Sequence, residues 1–158
     1  MTETRWLDDD ERRAWRGYLS MQAKVTARLH RQLQADSGLS LADFDVLVQL
    51  TDRARDPGEQ PRARVLELAE SLQWEKSRLS HHLSRMQRRG LVAREDCPDD
   101  GRGAFIVLTD DGRRAIERAA PRHVETVREV VLDRLTAEEV RVLGDIAERV
   151  LDGLDGPA

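Results

Sequence analysis

WEKSRLSHHLSRMQRRG, residues 74–90, contains one acid, at its second position. From Lys76 to Arg94 the chain holds six bases (Lys76, Arg78, Arg85, Arg88, Arg89 and Arg94) and no acid. The chain as a whole is acidic, with 30 Asp+Glu against 26 Lys+Arg in 158 residues. Outside the window, 20 bases face 30 acids, so the segment is an island of positive charge on an acidic background. On a helical wheel at about 100° per residue, Leu79, Leu83 and Met86 gather into one narrow apolar stripe. The opposite side carries Ser77, Arg78, His81, Ser84, Arg85 and Arg88. Hydroxyl, guanidinium and imidazole groups can donate to phosphates, and Arg can pair with both acceptors on a guanine edge. A solvated helix face is the simpler reading of a charge run, but such faces mix signs and this one does not.

The neighbours of the segment decide between the two readings. Val65, Leu66, Leu68, Ala69 and Leu72 have helical spacing, and a brief break at Gln73 separates them from the basic helix, which spans about 75–89. Gly90 suits the C-terminal position of that helix. LVARE (91–95) and AFIVL (104–108) read as two short strands, and DCPDDGRG (96–103) as the turn between them. Helix, turn, helix and hairpin in this order predict a winged helix-turn-helix, with the basic helix suited to the major groove and Arg102 at the tip of the wing. Trp74, just before the basic helix, is expected to pack as a plug rather than to touch DNA.

Long helices are expected on both sides. Residues 9–35 repeat Trp15, Leu19, Val25, Leu29 and Leu33 at spacings near three and four, with Tyr18 and Met21 widening the stripe. SGLS (37–40) interrupts the pattern. Ser40 then caps a second helix, with Asp43 favoured at its positive end and Phe44, Leu47, Val48 and Leu50 as its apolar face. Residues 52–62, with two prolines, a glycine and many charges, read as a loop. Thr109 caps the helix after the hairpin. Pro121 is expected to kink or restart that helix, because it lacks an N–H and clashes with the preceding turn. Val124, Val127, Val131 and Leu135 continue an apolar stripe. Thr136 and Glu139 form a capping box, and the last helix presents Val140, Leu143, Ile146, Val150 and Leu154. This tail has little in its own chain to bury against, and pairing with a second copy would cover it. The fold class is therefore mainly α with a small β-hairpin wing. An N-terminal helix (1–36) and C-terminal helices (113–158) form a dimerisation region around a DNA-binding region (37–112).

Composition excludes several alternatives. The single cysteine, Cys97, permits no intrachain disulfide and fits a reducing cytoplasm. No apolar run approaches the roughly 18 residues of a membrane span, so no membrane partner is expected. There is no Gly-rich phosphate loop and no Cys–His arrangement with context, so the chain is not read as an enzyme and no cofactor is expected. His30, His81, His82 and His123 lack metal-ligand spacing, so no metal site is expected.

With these residues in hand, the chain resembles the MarR family (multiple antibiotic resistance regulators) over nearly its whole length. The carrying pieces are LSLADFDVLVQL (39–50), VLELAESLQWEKSRLSHHLSRMQRRGLVAR (65–94) and DDGRGAFIVLTDDGRRA (99–115). The wing pattern of the family, Asp-x-Arg followed by Leu-Thr and a Gly, is matched by Asp100, Arg102, Leu108, Thr109 and Gly112. Gln73 departs from the Gly often found at the helix-turn-helix turn.

The resemblance implies a homodimer on pseudo-palindromic double-stranded DNA, with the first and last two helices intertwined. It implies DNA contacts from Lys76, Ser77, Arg78, His81, Ser84 and Arg85 in the major groove, phosphate attraction from Arg88, and a minor-groove contact from Arg102 on the wing. It also implies a repressor released when a small aromatic or phenolic effector binds between the dimer and DNA-binding regions. Trp15, Tyr18 and His30 are the candidates for such a pocket, although the simpler reading of each is a core or dimer contact. Two alternatives stand beside this one. The first is a winged-helix protein-interaction module whose basic face meets an acidic partner. The second is a regulator that responds to oxidation of Cys97, although the acids Asp96, Asp99 and Asp100 oppose a lowered thiol pKa and favour an inert thiol.

Overall fold

The computed structural model describes residues 3–54, 56, 58–96 and 104–155. Six helices and three strands are present among them: α1 (Asp9–Ser37), α2 (Leu41–Thr51), β1 (Arg62–Arg64), α3 (Val65–Leu72), α4 (Lys76–Arg88), β2 (Val92–Asp96), β3 (Ala104–Leu108), α5 (Asp110–Val130), and α6 (Ala137–Asp155), with a short 3-10 turn at Leu132–Arg134 before α6. The chain divides into two compact units, residues 30–122 and residues 1–29 with 123–158.

The first unit holds the core. Leu33, Val46, Leu47, Leu50, Leu68, Leu79, Leu83, Met86, Ile106 and Leu108 are fully buried or nearly so. Burying each such side chain contributes about 2 kcal/mol relative to exposure. The expected stripe of α4, Leu79, Leu83 and Met86, is the part of that helix driven into the core. On α2 the buried set is Phe44, Val46, Leu47 and Leu50, with Val48 only half-buried. Val46 therefore joins the buried set and Val48 stands at its margin. The helix is covered over a wider arc than the single stripe expected.

The wing is a three-stranded antiparallel sheet in the order β1-β3-β2, larger than a two-stranded hairpin. β1 falls where a loop was expected to end: Arg62 pairs with Val107, Ala63 with Ile106, and Arg64 with Phe105. Three residues are too few to show a period, so only the partner strand makes them a strand. β2 and β3 pair from Val92↔Leu108 to Asp96↔Ala104. Arg62 and Arg64 lie over the Phe105 ring at 5.0 and 5.3 Å.

Helix ends follow their local chemistry. Ser40 and Asp43 form a reciprocal capping box at 2.9 Å each way. α4 ends in a Schellman motif: Gly90 sits at φ 77, its N–H donates to the Gln87 carbonyl, and the Leu91 N–H donates to the Met86 carbonyl. α3 ends the same way on a non-glycine residue. Gln73 is at φ 55, its own N–H bonds the Glu70 carbonyl and the Trp74 N–H bonds that of Ala69. The Gln73 side-chain amide adds a second bond to Glu70 O at 2.7 Å, offsetting part of the left-handed strain.

α5 begins on Thr109, whose hydroxyl accepts from the Gly112 N–H at 3.0 Å and lies 2.6 Å from the Gly90 carbonyl. This ties the start of α5 to the end of α4. A Cβ on Gly112 would sit 2.1 Å from the Leu91 carbonyl oxygen, so the backbone approach admits no side chain.

The second unit is built from the N-terminal part of α1, the C-terminal part of α5, and α6. Asp8 and Glu11 cap α1, and Thr136 and Glu139 cap α6 as expected. α5 runs through Pro121 without restarting, so of the two expected outcomes the restart does not occur, and the helical run ends at Val130. Proline deletes one hydrogen bond, and a long helix with intact turns on either side can absorb that loss. The apolar faces of this unit stay open within one chain: Trp15, Tyr18, Leu19, Met21, Val124, Leu143, Ile146, Val150 and Leu154 are all exposed.

Candidate nucleic-acid interface

α4 is anchored by its buried stripe and by the two Schellman turns around it, so its polar side chains are held on a fixed axis. Lys76, Ser77, Arg78, His81, Arg85 and Arg88 are exposed, and Ser84 is half-buried with its hydroxyl donating to the Ser80 carbonyl at 2.9 Å. No acid lies within the helix. Arg88 leans back on the Ser84 carbonyl at 3.4 Å.

Two of the arginines rest on aromatic rings. The Arg78 guanidinium lies 4.6 Å from the centre of the Trp74 ring. Arg85 Nη2 lies 3.1 Å from His82 Nδ1. The two rings meet edge to face at 5.6 Å. Trp74 is half-buried against the core, which bears out the plug, and it also supports Arg78 from beneath.

His82, on the other side of α4 from His81, is buried. Its Nε2 lies 2.9 Å from Asp43 Oδ1, although the N–H does not point squarely at that oxygen. Asp43 is itself buried, 2% exposed. Beyond the Ser40 cap, its carboxylate accepts from Arg89 Nη1 at 2.6 Å, and Arg89 Nη2 reaches the Gly38 carbonyl at 3.0 Å. Burial alone would raise the Asp43 pKa, but the adjacent His82 ring, the hydrogen bonds from Arg89 and the Ser40 N–H, and the Arg89 charge outweigh it, and the carboxyl is held well below the ordinary aspartate range. Asp43, Trp74, Arg78, His82, Arg85 and Arg89 line one open cleft of about 430 Å³ along the flank of α4. Sequence reasoning missed Asp43, His82 and Arg89 as one cluster. The only local signal was an Asp at a capping position, which is explained without any distant partner.

The remaining candidates fall as follows. Arg102 and Cys97 lie outside the described residues. Trp15 and Tyr18 stack on each other at 5.7 Å and are exposed. His30 accepts from the Leu41 N–H through Nδ1 at 3.2 Å, which steadies the first turn of α2. Among the described residues, no group of three or more His, Cys, Asp or Glu is placed to hold a metal ion. No helix among them is long and apolar enough to cross a membrane.

Comparison with known proteins agrees with this architecture. Residues 37–103 match the family model described as the MarR family. The transcriptional regulator HosA of Escherichia coli O111:H- is 32% identical over 94 residues, which is 60% of this chain and 69% of HosA. The chain belongs to the MarR family. It is a winged-helix transcriptional regulator, and its relatives are regulators rather than enzymes. Among solved members, a Streptomyces coelicolor MarR family regulator determined in complex with DNA superposes with a TM-score of 0.89 at 42% identity, covering 98% of this chain and 93% of that one. The MarR family regulator AbsC, also from S. coelicolor, gives 0.86 at 38% identity, covering 98% of this chain and all of its own length, 100%. The three-stranded wing and the Thr109–Gly112 junction are thus features of a MarR family chain, and the expected resemblance holds across nearly its full length.

Proposed function

We propose that this chain acts as a homodimeric, sequence-specific DNA-binding repressor in the cytoplasm, released from a pseudo-palindromic operator by a small aromatic or phenolic effector. The observation that carries the DNA-binding part is the α4 face. It is exposed and free of acids, and two of its arginines are propped on rings anchored in the core. Prepositioned guanidinium groups lose less side-chain entropy on binding, and Arg is the side chain suited to bidentate contact with guanine. Lys76, Ser77, Arg78, His81, Ser84 and Arg85 contact the major groove, Arg88 adds phosphate attraction, and Arg102 serves as the wing contact. The DNA complex of the 42% identical S. coelicolor regulator supports this assignment.

Dimerisation is supported by the open apolar faces of α1 and α6, which in water would be an aggregation liability. A two-fold dimer matches a DNA site with two half-sites about 10 base pairs apart. Effector release rests on family membership. The test is fluorescence anisotropy of the purified protein with DNA from upstream of its own gene, against a scrambled duplex of equal length, over about 50 to 200 mM salt. Strong preference for the upstream DNA, with log affinity falling steeply in log salt, supports the reading. Absence of preference for any duplex selected from a random pool overturns it.

A further inference from the structure

We propose that Asp43 and His82 are positioning residues that set Arg85 for base reading, so that the orientation and tautomer of a buried imidazole are coupled to operator affinity. The proposal rests on the DNA-binding reading above and extends it to residues that do not face DNA. A guanidinium can only donate, so the 3.1 Å contact from Arg85 Nη2 requires His82 Nδ1 to be an acceptor. The proton of the neutral ring is then on Nε2, the nitrogen that lies 2.9 Å from Asp43 Oδ1, although its N–H does not point squarely at that oxygen. The Arg85 contact selects the tautomer, and the carboxylate behind the ring is compatible with it. Asp43 in turn is fixed by the Ser40 cap and by Arg89. A chain of contacts therefore runs from the first turn of α2 through the core to an exposed guanidinium on α4. Sequence neighbours cannot supply it, because Asp43 and Arg89 stand 46 residues apart.

The charged groups around the ring are Asp43 from α2 and Arg85 and Arg89 from α4, with Arg78 across the Trp74 ring and the uncharged Ser40 and Gln34 completing the cleft. Removing the acceptor at the Nδ1 position would therefore free Arg85 from its support.

Two conservative variants separate the two nitrogens. His82→Gln puts an amide near the Nε2 position and keeps the tie to Asp43, but lacks the acceptor for Arg85. His82→Asn puts a carbonyl oxygen near the Nδ1 position and keeps that acceptor. The measurement is operator affinity of the full-length wild type, both variants, Arg85→Ala and the double variant His82→Gln/Arg85→Ala, with imidazole nitrogen chemical shifts recorded on the free protein to read the tautomer.

The expected results are a loss of about fivefold or more for His82→Gln, affinity near wild type for His82→Asn, and no further loss on adding His82→Gln to Arg85→Ala. The free protein shows the His82 tautomer with its proton on Nε2. Equal affinity in wild type and His82→Gln, additive losses in the double variant, or the tautomer with its proton on Nδ1 each overturn the proposal. If wild type shows no operator preference while the tautomer is as stated, the DNA-binding reading has failed, and the proposal falls with it.

Discussion

Asp43 Oδ2 accepts from Arg89 Nη1 at 2.6 Å, joining the first turn of α2 to the C-terminal cap of α4. The carboxylate is buried and the guanidinium is 44% exposed, so solvent screens part of the pair. Asp43→Asn keeps the side-chain volume and removes the charge. It is expected to lower stability at neutral pH by about 2 kcal/mol, less than for a fully buried pair. The sign with pH follows from the depressed pKa. Because the folded state holds Asp43 below its unfolded value, its contribution is present above the ordinary aspartate range and is lost as pH falls through and below it. Urea unfolding at about pH 7 and about pH 3 should show the gap between wild type and Asp43→Asn narrowing in acid. A constant gap would mean that the carboxylate charge does not matter.

How much of this was legible in the sequence depended on the range of the interaction. The stripe Leu79, Leu83 and Met86 and the caps at Ser40, Thr109 and Thr136 are written within one or two turns, and each is found as expected. β1 was hidden because three residues, Arg-Ala-Arg, become a strand only by pairing with β3. The restart allowed for at Pro121 does not occur, because a long helix can absorb one missing hydrogen bond. The meeting of His82 with Asp43 was hidden because the carboxylate comes from another helix. The α4 basic face was visible as charge. The rings beneath Arg78 and Arg85 were not visible as supports, because a spacing shows that two residues are neighbours and not which nitrogen meets which.

Gly112 has no room for a side chain. A Cβ would meet the Leu91 carbonyl oxygen at 2.1 Å and Leu108 Cδ1 at 2.8 Å, and the first of these is backbone that cannot rotate away. Gly112→Ala would have to push α5 away from the end of α4 and break the Thr109 bonds that join them. A loss of about 3 kcal/mol or more is expected, on the scale of overpacking plus lost hydrogen bonds. Gly144 in α6 has nothing near its Cβ position, so Gly144→Ala is the control and should stabilise slightly through helix propensity. Thermal unfolding of the two variants side by side should give shifts of opposite sign.

Gln73 occupies the left-handed turn between α3 and α4 at φ 55. Glycine there would relieve about 1 kcal/mol of strain but forfeit the exposed amide bond to Glu70 O. Gln73→Gly is expected to gain roughly 0.5 kcal/mol in urea unfolding, and Gln73→Val to lose more than 1 kcal/mol because a β-branched side chain tolerates this region worst. A stability order with valine above glycine would show that the turn is not under the strain its φ implies.

The α6 face carries Leu143 and Ile146, 38% and 49% exposed in a single chain. If these faces pair between two copies, an acid at either site buries an unpaired charge in the dimer and costs nothing in the monomer. Ile146→Glu should shift the particle from dimer to monomer mass in light scattering and lower operator affinity sharply, since one half-site binds far more weakly than two. Wild type at monomer mass across the micromolar range would remove the dimer from the proposal. It would also leave the open faces of α1 and α6 to be explained by another partner.

Under the proposed DNA-binding reading, Arg102 and Arg88 would make two kinds of DNA contact. The sequence reading expects Arg102 at the wing tip, matching the Asp-x-Arg position of the family pattern, where a side chain would contribute little to a core. Arg88 lies on exposed α4 and leans on the Ser84 carbonyl. Arg88→Ala, as a phosphate contact, should weaken binding to operator and scrambled duplex alike and reduce the salt slope by roughly one per affected contact. Arg102→Ala, as a minor-groove contact, should weaken operator binding more than scrambled-duplex binding, by about 1 kcal/mol or more, with the unfolding midpoint unchanged. Anisotropy titrations of both variants on both duplexes give the four numbers needed. Equal losses on the two duplexes for Arg102→Ala would make it a phosphate contact. An unfolded Arg102→Ala protein, or one with undiminished affinity, would remove Arg102 from the interface.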